Sequence, residues 1–464
     1  MLQAMMPAIL KGTAGFVLLW ALGCCTDPVN GKLYFCFRDM SSGEEEEIGA
    51  RYAPNFVAQS GGPYPDRKLH EYLNEIVIEK MAKKSERPHL NWTFEILNTS
   101  QINAFALPGG QVFVTRGLLA RLETEAQFAH LMGHEVAHVT HRHAMRGQGR
   151  RAMLGILVGP VAIVGQSIRV LTGNPDSPLV LASLVGALGS IPFLKYNRDQ
   201  ELEADQTGID YAVRAGYDPR EAIKTFQMFL EWKKEMGRRD NFFVGLIQTH
   251  PLDRKRIKKI NAYIKRKYPD IAAGERKDLI ISREPWDGFL ETIKKEQASY
   301  AKCDKALELV ARSKKEKKPE LLNAADKQLQ EAKQELPDAA QVHVAFAVVA
   351  LERQESEIAL EQLAKAIALD DKEFEAHLIR GTLHRMADRR DPAMKDLLIA
   401  HDVFPMNPFP CYQLGKLSEA MDQNPSASGW YVRAIQRAPR GSEVRKLSRK
   451  RLNVLDKRKS LSTF

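Results

Sequence analysis

Two histidines and a glutamate stand close together in one short stretch of the chain, His134-Glu135-Val136-Ala137-His138. In an α-helix, residues four apart lie about 40° apart around the axis and one turn along it, so both imidazoles can face one metal ion. Glu135, beside them, can take a proton from an attacking water. Two imidazole ligands, a carboxylate base and an open coordination position are what zinc-assisted hydrolysis requires. A helix with surface histidines is the alternative, and this short motif alone does not exclude it.

The zinc of such a site needs a third protein ligand, and the sequence offers one on a later helix. A histidine six residues after His138 is excluded, because that position is Ala144. Glu201 and Asp205 are four residues apart in a segment whose pattern predicts a helix. We expect Glu201 to bind the metal and Asp205 to accept the other ring N–H of a ligating histidine. His141, three residues past His138, is the competing third ligand.

These two segments resemble those of the HtpX and CAAX prenyl endopeptidase family of zinc metalloproteases, which are gluzincins. Three further stretches agree with that family, namely residues 103–115, Arg142-His143, and residues 249–251 with Arg256-Ile257. The resemblance covers about residues 67 to 262, and Asn197 departs from it where the family usually has Ser or Thr. It implies a gluzincin fold with one zinc ion per chain, held by His134, His138 and Glu201.

A strand is predicted just before the motif helix, at residues 112–115, and another at residues 92–97. Proteases commonly hold an extended substrate by adding it to an exposed sheet edge. Gly109 and Gly110 would allow close backbone approach. The residues that we expect to pair with substrate main chain are Gln111, Val112, Phe113 and Val114. An ordinary structural hairpin is the alternative.

Three residues outside the ligand set are candidates to stabilise the oxyanion, namely Tyr196, Arg198 and His250. For His250 two other interpretations stay open. Pro251 disfavours helix at the preceding residue, so His250 is expected on a loop, from which it could reach the zinc and close the position meant for water. The remaining interpretation is a structural histidine that caps a turn.

The N-terminal segment has the composition of a bacterial lipoprotein signal. Lys11 precedes the apolar residues 15–22, which are too few for a membrane span, and Gly23-Cys24 follows. We expect cleavage before Cys24 and lipidation of that cysteine, with ordinary signal-peptide cleavage nearby as the alternative. The next residue is Cys25 rather than Asp, so the default is an outer-membrane anchor facing the periplasm. A Cys25–Cys36 disulfide is an open alternative in an oxidising compartment.

The composition is that of a globular protein. With 464 residues, 44% of them apolar and 27% charged, the chain is expected to form two or three domains. The net charge of +10 is moderate and no nucleic-acid-binding motif accompanies it, so no nucleic-acid partner is expected. Two apolar stretches, 152–165 and 178–194, are short and interrupted by Gly and Pro. They predict a helical hairpin that is buried or covers the active site rather than membrane spans.

The C-terminal third carries a repeat of 34 residues. Two columns of alanines hold this spacing, one formed by Ala325, Ala359, Ala393 and Ala427 and the other by Ala332, Ala366, Ala400 and Ala434. Small residues where two helices cross, with proline closing the unit, are typical of tetratricopeptide (TPR) repeats. Four repeats fit residues 306–441, and a basic cap helix is expected at 442–457. Such arrays bind peptides or proteins on a concave surface.

Together these patterns predict an α+β, mainly α protein, with an HExxH peptidase domain that contains a small β-sheet and a TPR solenoid. The expected parts are a signal peptide at 1–23, a linker at 24–66, a zinc metallopeptidase domain at 67–285 and a TPR domain at 286–464. The combination resembles the periplasmic lipoprotein branch of the family. It implies an endopeptidase for misfolded or stalled envelope proteins, with repeats that recruit clients or outer-membrane assembly machinery. A TPR-based chaperone with secondary proteolysis is the alternative.

Overall fold

The computed structural model describes residues 24–35, 40–146, 196–235, 250, 254–438 and 441–461. The expected signal peptide at 1–23 and both apolar stretches, 152–165 and 178–194, lie outside these residues. Within them the chain is mainly helical with two small sheets, so the predicted fold class is confirmed. None of the helices in the described ranges combines the length and the apolarity needed to cross a bilayer.

The segment that composition predicted as a linker is structured. Strands β1 (Cys24–Thr26) and β2 (Leu33–Phe35) form an antiparallel hairpin, and helix α1 (Ser42–Gln59) follows. The first turn of α1 is closed by a capping box between Ser41 and Glu44. The four consecutive glutamates at residues 44–47 belong to this helix. Glu45 is buried and forms ion pairs with Arg87 and Arg142. Cys25 is disulfide-bonded, but Cys36 lies outside the described residues, so the Cys25–Cys36 pairing stays an open alternative.

Residues 67–84 form a helical segment whose pitch changes along its length. Helix α2 (Arg67–Asn74) begins after Asp66, whose side chain accepts from the Leu69 backbone N–H. It continues as a π-turn (Glu75–Glu79), and a 3₁₀ turn (Ala82–Lys84) ends the segment. Its apolar face, which includes Leu69 and Leu73, is fully buried against the sheet and the motif helix.

The central sheet has three strands in the order β3–β5–β4. Strand β3 (Thr93–Leu97) runs parallel to β5 (Gln111–Thr115), and β4 (Ala104–Leu107) runs antiparallel to it on the other side. Because both sides of β5 are paired within the protein, the prediction that Gln111, Val112, Phe113 and Val114 pair with substrate is wrong. An added strand needs an edge, and β4 is the edge strand that packs against the motif helix.

The two glycines of the β4–β5 turn have a structural role. Both have positive φ, +87° at Gly109 and +104° at Gly110, which L side chains rarely adopt. A Cβ at Gly109 would lie 2.4 Å from the Glu46 Cα, and one at Gly110 would lie 3.2 Å from the Trp92 ring. Gly109 therefore lets the turn pack against α1, and Gly110 lets it pack against Trp92.

The motif lies on helix α4 (Glu125–Thr140), which follows the short helix α3 (Arg116–Leu119). All residues of α4 are buried, and Thr124 caps its N-terminus. Helix α5 (Arg198–Arg214) crosses α4 at two glycines: a Cβ at Gly133 would lie 2.6 Å from the Gly208 carbonyl oxygen. This close crossing brings the first turn of α5 to the histidines of α4. Helices α6 (Arg220–Glu235), α7 (Arg254–Lys267) and α8 (Pro269–Ala272) complete this part of the molecule.

In the rest of the described chain, eight helices pack in four consecutive pairs, and a last helix packs against the fourth pair. They are α9 (Glu284–Glu316), α10 (Leu321–Glu335), α11 (Ala340–Glu352), α12 (Ser356–Leu369), α13 (Phe374–Met386), α14 (Arg390–Val403), α15 (Pro408–Ala420), α16 (Asn424–Arg437) and α17 (Glu443–Leu461). All eight alanines of the two columns are fully buried between helices. The turns within three pairs each contain a left-handed residue at the same spacing, Gln354, Asp388 and Asp422. The helical repeat predicted from the alanines is thus confirmed, while the predicted domain boundaries stay predictions.

Candidate metal centre

Four side chains from three segments converge at the crossing of α4 and α5. His134 and His138 lie one turn apart on α4, Glu201 lies in the first turn of α5, and His250 lies just before α7. The two Nε2 atoms of His134 and His138 are 2.9 Å apart. Carboxylate oxygens of Glu201 lie 3.7 Å from the first and 3.6 Å from the second. All four side chains are buried, and their ligand atoms lie within 4.8 Å of one another.

The donor set fits a metal ion. The second nitrogen of each motif histidine is engaged away from the cluster, with His134 Nδ1 2.9 Å from Asp205 Oδ1 and His138 Nδ1 2.8 Å from His143 Nδ1. The Nε2 lone pairs are therefore directed at one another and at the Glu201 carboxylate, an arrangement that a cation would stabilise. Glu135 Oε1 is buried and has no hydrogen-bond partner among the described residues. Imidazole and carboxylate ligands in this number are typical of zinc sites.

Arg256, on α7, stabilises the acidic side of the cluster. Its Nη1 lies 2.8 Å from Glu201 Oε2, and its Nε lies 2.6 Å from Asp205 Oδ2. Burial alone would raise the pKa of Asp205, but Arg256 lowers it to about 2. Burial likewise opposes ionisation of Glu201, while His250 and Arg256 hold its pKa below the ordinary value. The sequence analysis did not predict that Arg256 binds these two carboxylates, although Arg256-Ile257 is among the residues that carry the family resemblance.

Glu135 is placed as a base. It is buried next to the two motif histidines, and its Oε1 lies 3.4 Å from His250 Nε2. Burial raises its pKa above the ordinary range of a carboxyl group, although His250 and His134 partly oppose this. A carboxylate with a raised pKa accepts a proton more readily, which is what a general base needs.

The three candidates for the oxyanion role lie in different environments. The Tyr196 ring stacks on His138, with 3.9 Å between ring centroids, and is buried. His250 Nδ1 lies 3.0 Å from Glu201 Oε1 and 3.2 Å from His134 Nε2, so it belongs to the cluster itself. Arg198 is the first residue of α5 and is exposed. Tyr196 and His250 are thus at the centre, and Arg198 is not brought to it.

The competing third ligand, His141, is directed elsewhere. Its Nδ1 lies 2.7 Å from Asp27 Oδ2 and its Nε2 lies 2.8 Å from Thr207 Oγ1. Both ring nitrogens are therefore occupied by neighbours, and neither faces His134 or His138. The geometry favours Glu201.

A small cavity of about 30 Å³ adjoins the centre on the Glu135 side. Besides the site residues, its lining is mostly apolar, with Leu131, Ile209, Phe226 and Phe229 among the residues that contribute. This lining suits a small apolar group better than a polar one.

Comparison with known proteins agrees with this geometry. Residues 67–264 match the family model described as peptidase family M48. The chain is 30% identical over 226 residues to the beta-barrel assembly-enhancing protease of Escherichia coli O157:H7, a match that covers 47% of this chain and 43% of that protein. It is 29% identical over 200 residues to the mitochondrial metalloendopeptidase OMA1 of Arabidopsis thaliana, covering 41% of this chain and 37% of that one. The crystal structure of yeast Tom70 aligns with 90% of this chain and 80% of its own at a TM-score of 0.34 and 12% identity, too low to inform the fold.

The buried histidine–carboxylate cluster thus lies within a stretch that matches peptidase family M48. The chain is similar to the beta-barrel assembly-enhancing protease, of whose length the match spans less than half. The resemblance inferred from the motifs is confirmed.

Proposed function

We propose that the protein is a zinc-dependent endopeptidase of the bacterial cell envelope that hydrolyses misfolded or stalled envelope proteins. The observation that carries this proposal is the buried cluster of His134, His138 and Glu201 beside the buried carboxylate of Glu135. When bound, zinc would polarise the scissile carbonyl and acidify a water. Glu135 would take the proton of the attacking water and pass it to the leaving amine.

The substrate is proposed to lie along β4. This strand packs against α4 and is paired on one side only, with β5, among the described residues. Main-chain hydrogen bonds to such an edge would hold an extended chain without reading its sequence, which suits unfolded clients. The apolar cavity beside Glu135 would add a preference for an apolar side chain at one position.

His250 is proposed to restrain this activity. Its ring lies among the ligands, with Nδ1 close to both Glu201 and His134, where it would take up the open position that hydrolysis needs. These two contacts favour a role at the metal over that of a histidine that only caps a turn. Contact with substrate or with the oxyanion is the other role that this position allows.

The envelope assignment rests on the lipoprotein-like N-terminus, and the M48 relatives named beta-barrel assembly-enhancing proteases support it. The helical repeat is proposed to recruit clients or assembly machinery, because paired helices at constant spacing build an extended binding surface. The alternative, a TPR-based chaperone in which proteolysis is secondary, draws on the same repeat.

Replacing Glu135 with Gln separates these functions. The change keeps size and leaves the proposed ligands intact, so zinc content and folding should persist while cleavage of an unfolded protein falls about 10²–10⁴-fold. Glu123→Gln, on the exposed residue just before α4, is the matched control and should cleave normally. Full activity in cells that carry only Glu135→Gln would favour the chaperone.

A further inference from the structure

A second polar cluster lies directly behind the metal centre. It consists of His141 and His143 at the end of α4, Glu203 on α5, and Asp27 and Lys32 of the N-terminal hairpin. His143 is completely buried, and its Nδ1 lies 2.8 Å from Nδ1 of the ligand His138. One ring nitrogen of His143 therefore contacts the proposed ligand His138 on the side of its ring that faces away from the metal centre.

The backbone is shaped to put His143 there. Arg142, which follows α4, adopts the left-handed conformation with φ +56°, which is uncommon for a residue other than glycine. Its side chain holds this reversal through Nε, 2.6 Å from Glu45 Oε1. Gln200 Nε2 then donates to the His143 carbonyl oxygen at 3.1 Å. Contacts from α1 and α5 thus hold the reversal of the chain after α4, which places His143 against His138.

The hydrogen bonds around His143 are compatible with one proton arrangement only, once His138 binds a metal. A neutral His138 that coordinates through Nε2 carries its proton on Nδ1 and donates it to His143 Nδ1. His143 must then carry its own proton on Nε2, which lies 3.4 Å from Glu203 Oε2. An ionised carboxylate only accepts, so Glu203 selects this tautomer. In the reverse arrangement His138 would keep its proton on Nε2 and could not bind the metal.

Glu203 is itself held in place by cations. Lys32 Nζ lies 2.9 Å from its Oε1, and Arg146 Nη1 lies 2.9 Å from its Oε2. These two cations, together with the engaged nitrogens of His141 and His143, argue against a second metal ion in this cluster. The cluster is arranged to fix protons and not to bind a cation.

We propose that His143 is a positioning residue for the metal ligand His138, and that Glu203 sets its tautomer. The proposal rests on the proposed zinc site. Outer hydrogen-bond partners of this kind orient the ligand and raise its basicity, and their loss typically weakens metal binding about 10–100-fold. His143 takes the place at His138 that Asp205 takes at His134.

The test compares zinc affinity, measured by chelator competition, in His143→Asn and His143→Gln. The amide of Asn lies where Nδ1 was and can accept from His138, whereas that of Gln lies nearer the position of Nε2. We expect His143→Gln to bind zinc about 10–100-fold more weakly than the unmodified protein, and His143→Asn to recover most of that loss. The visible absorption of the cobalt-loaded protein should change in the same order.

The matched control is His401→Gln, which lies on helix α14 of the repeat, away from the metal centre, and contacts Asp402 Oδ1 at 3.0 Å. It should bind zinc normally, and thermal unfolding of the metal-free variants shows that each is folded. Equal zinc affinity in His143→Gln and the unmodified protein would overturn the proposal, as would an equal loss in His401→Gln. Absence of zinc binding by the unmodified protein would instead overturn the proposed function, on which the inference depends.

Discussion

At the scale of single residues, the third ligand is the assignment on which the metal centre depends. Glu201 lies within 3.7 Å of both motif Nε2 atoms and is held by Arg256, whereas His141 is bound to Asp27 and Thr207. The sequence allowed either Glu201 or His141 as the third ligand. Their different neighbours in the structure favour Glu201.

The first prediction concerns this carboxylate. Glu201→Gln should lose most of its zinc, because a neutral amide is a poorer ligand and deprives Arg256 of a buried carboxylate partner. His141→Ala should retain the metal. Metal analysis of both purified variants checks this, and full zinc in Glu201→Gln together with none in His141→Ala would reverse the assignment.

A second prediction at this scale concerns His250. Its removal should open the position beside the ligands, so His250→Ala is expected to cleave an unfolded protein faster than the unmodified enzyme. The rate of cleavage at saturating zinc is the measurement. A large fall would show instead that His250 acts on substrate or oxyanion, and an unchanged rate would leave it a structural residue.

At the scale of helices, close packing depends on small residues at crossings. Gly133 and Gly208 let α4 and α5 approach beside the ligands, and the buried alanines do the same in the repeat. Gly415 belongs to this group, since a Cβ there would lie 2.7 Å from the Tyr431 ring. Gly429, on the neighbouring helix, has nothing within 4 Å of its would-be Cβ.

These two glycines provide a matched pair for a stability prediction. Gly415→Ala should destabilise the repeat by about 1–3 kcal/mol, because the added methyl group displaces a buried ring. Gly429→Ala should be neutral or stabilising by up to about 1 kcal/mol, because alanine is the better helix former. Urea unfolding of both variants checks the difference, and equal effects would argue against tight packing of α15 on α16.

At the scale of the whole molecule, the segment around the central sheet and the helical repeat are in direct contact. Gln341 Nε2, on α11, donates to the carbonyl oxygens of Gly61 and Asn98 at 2.9 and 3.0 Å. Arg116 is buried and stacks over the Tyr300 ring of α9 at 3.8 Å. The repeat therefore packs directly against the sheet that we propose to hold substrate.

The N-terminal hairpin gives the whole molecule a second constraint. If Cys24 is lipidated, the anchor lies three residues from Asp27, whose carboxylate contacts His141 behind the metal centre. A stretch of that length spans roughly 10 Å at most. The proposed anchor would thus hold the metal centre close to the bilayer surface.

The prediction at this scale is membrane attachment through Cys24. The unmodified protein should fractionate with membranes, and Cys24→Ala should be released or stay unprocessed, because acyl chains supply the binding. Fractionation of cells that express each form measures it. A correctly processed Cys24→Ala protein that stays on membranes would show that another segment is the anchor.

The sequence by itself determined the features that depend on local spacing. The four-residue interval of His134 and His138, and that of Glu201 and Asp205, could be placed on helices because the α-helical period is known. The alanine columns predicted the repeat for the same reason, since a constant spacing implies a constant packing unit.

Only the tertiary structure decided which distant residues meet. Arg256 joins Asp205 across 51 positions, and Lys32 joins Glu203 across 171, and no local period connects such pairs. The sequence likewise did not reveal that β5 lies in the middle of the sheet, because the same residue pattern can form an edge strand or a central strand. These contacts depend on how helices and strands pack against one another. The same packing places His143 behind His138 and leaves β4 as the sheet edge next to the motif helix.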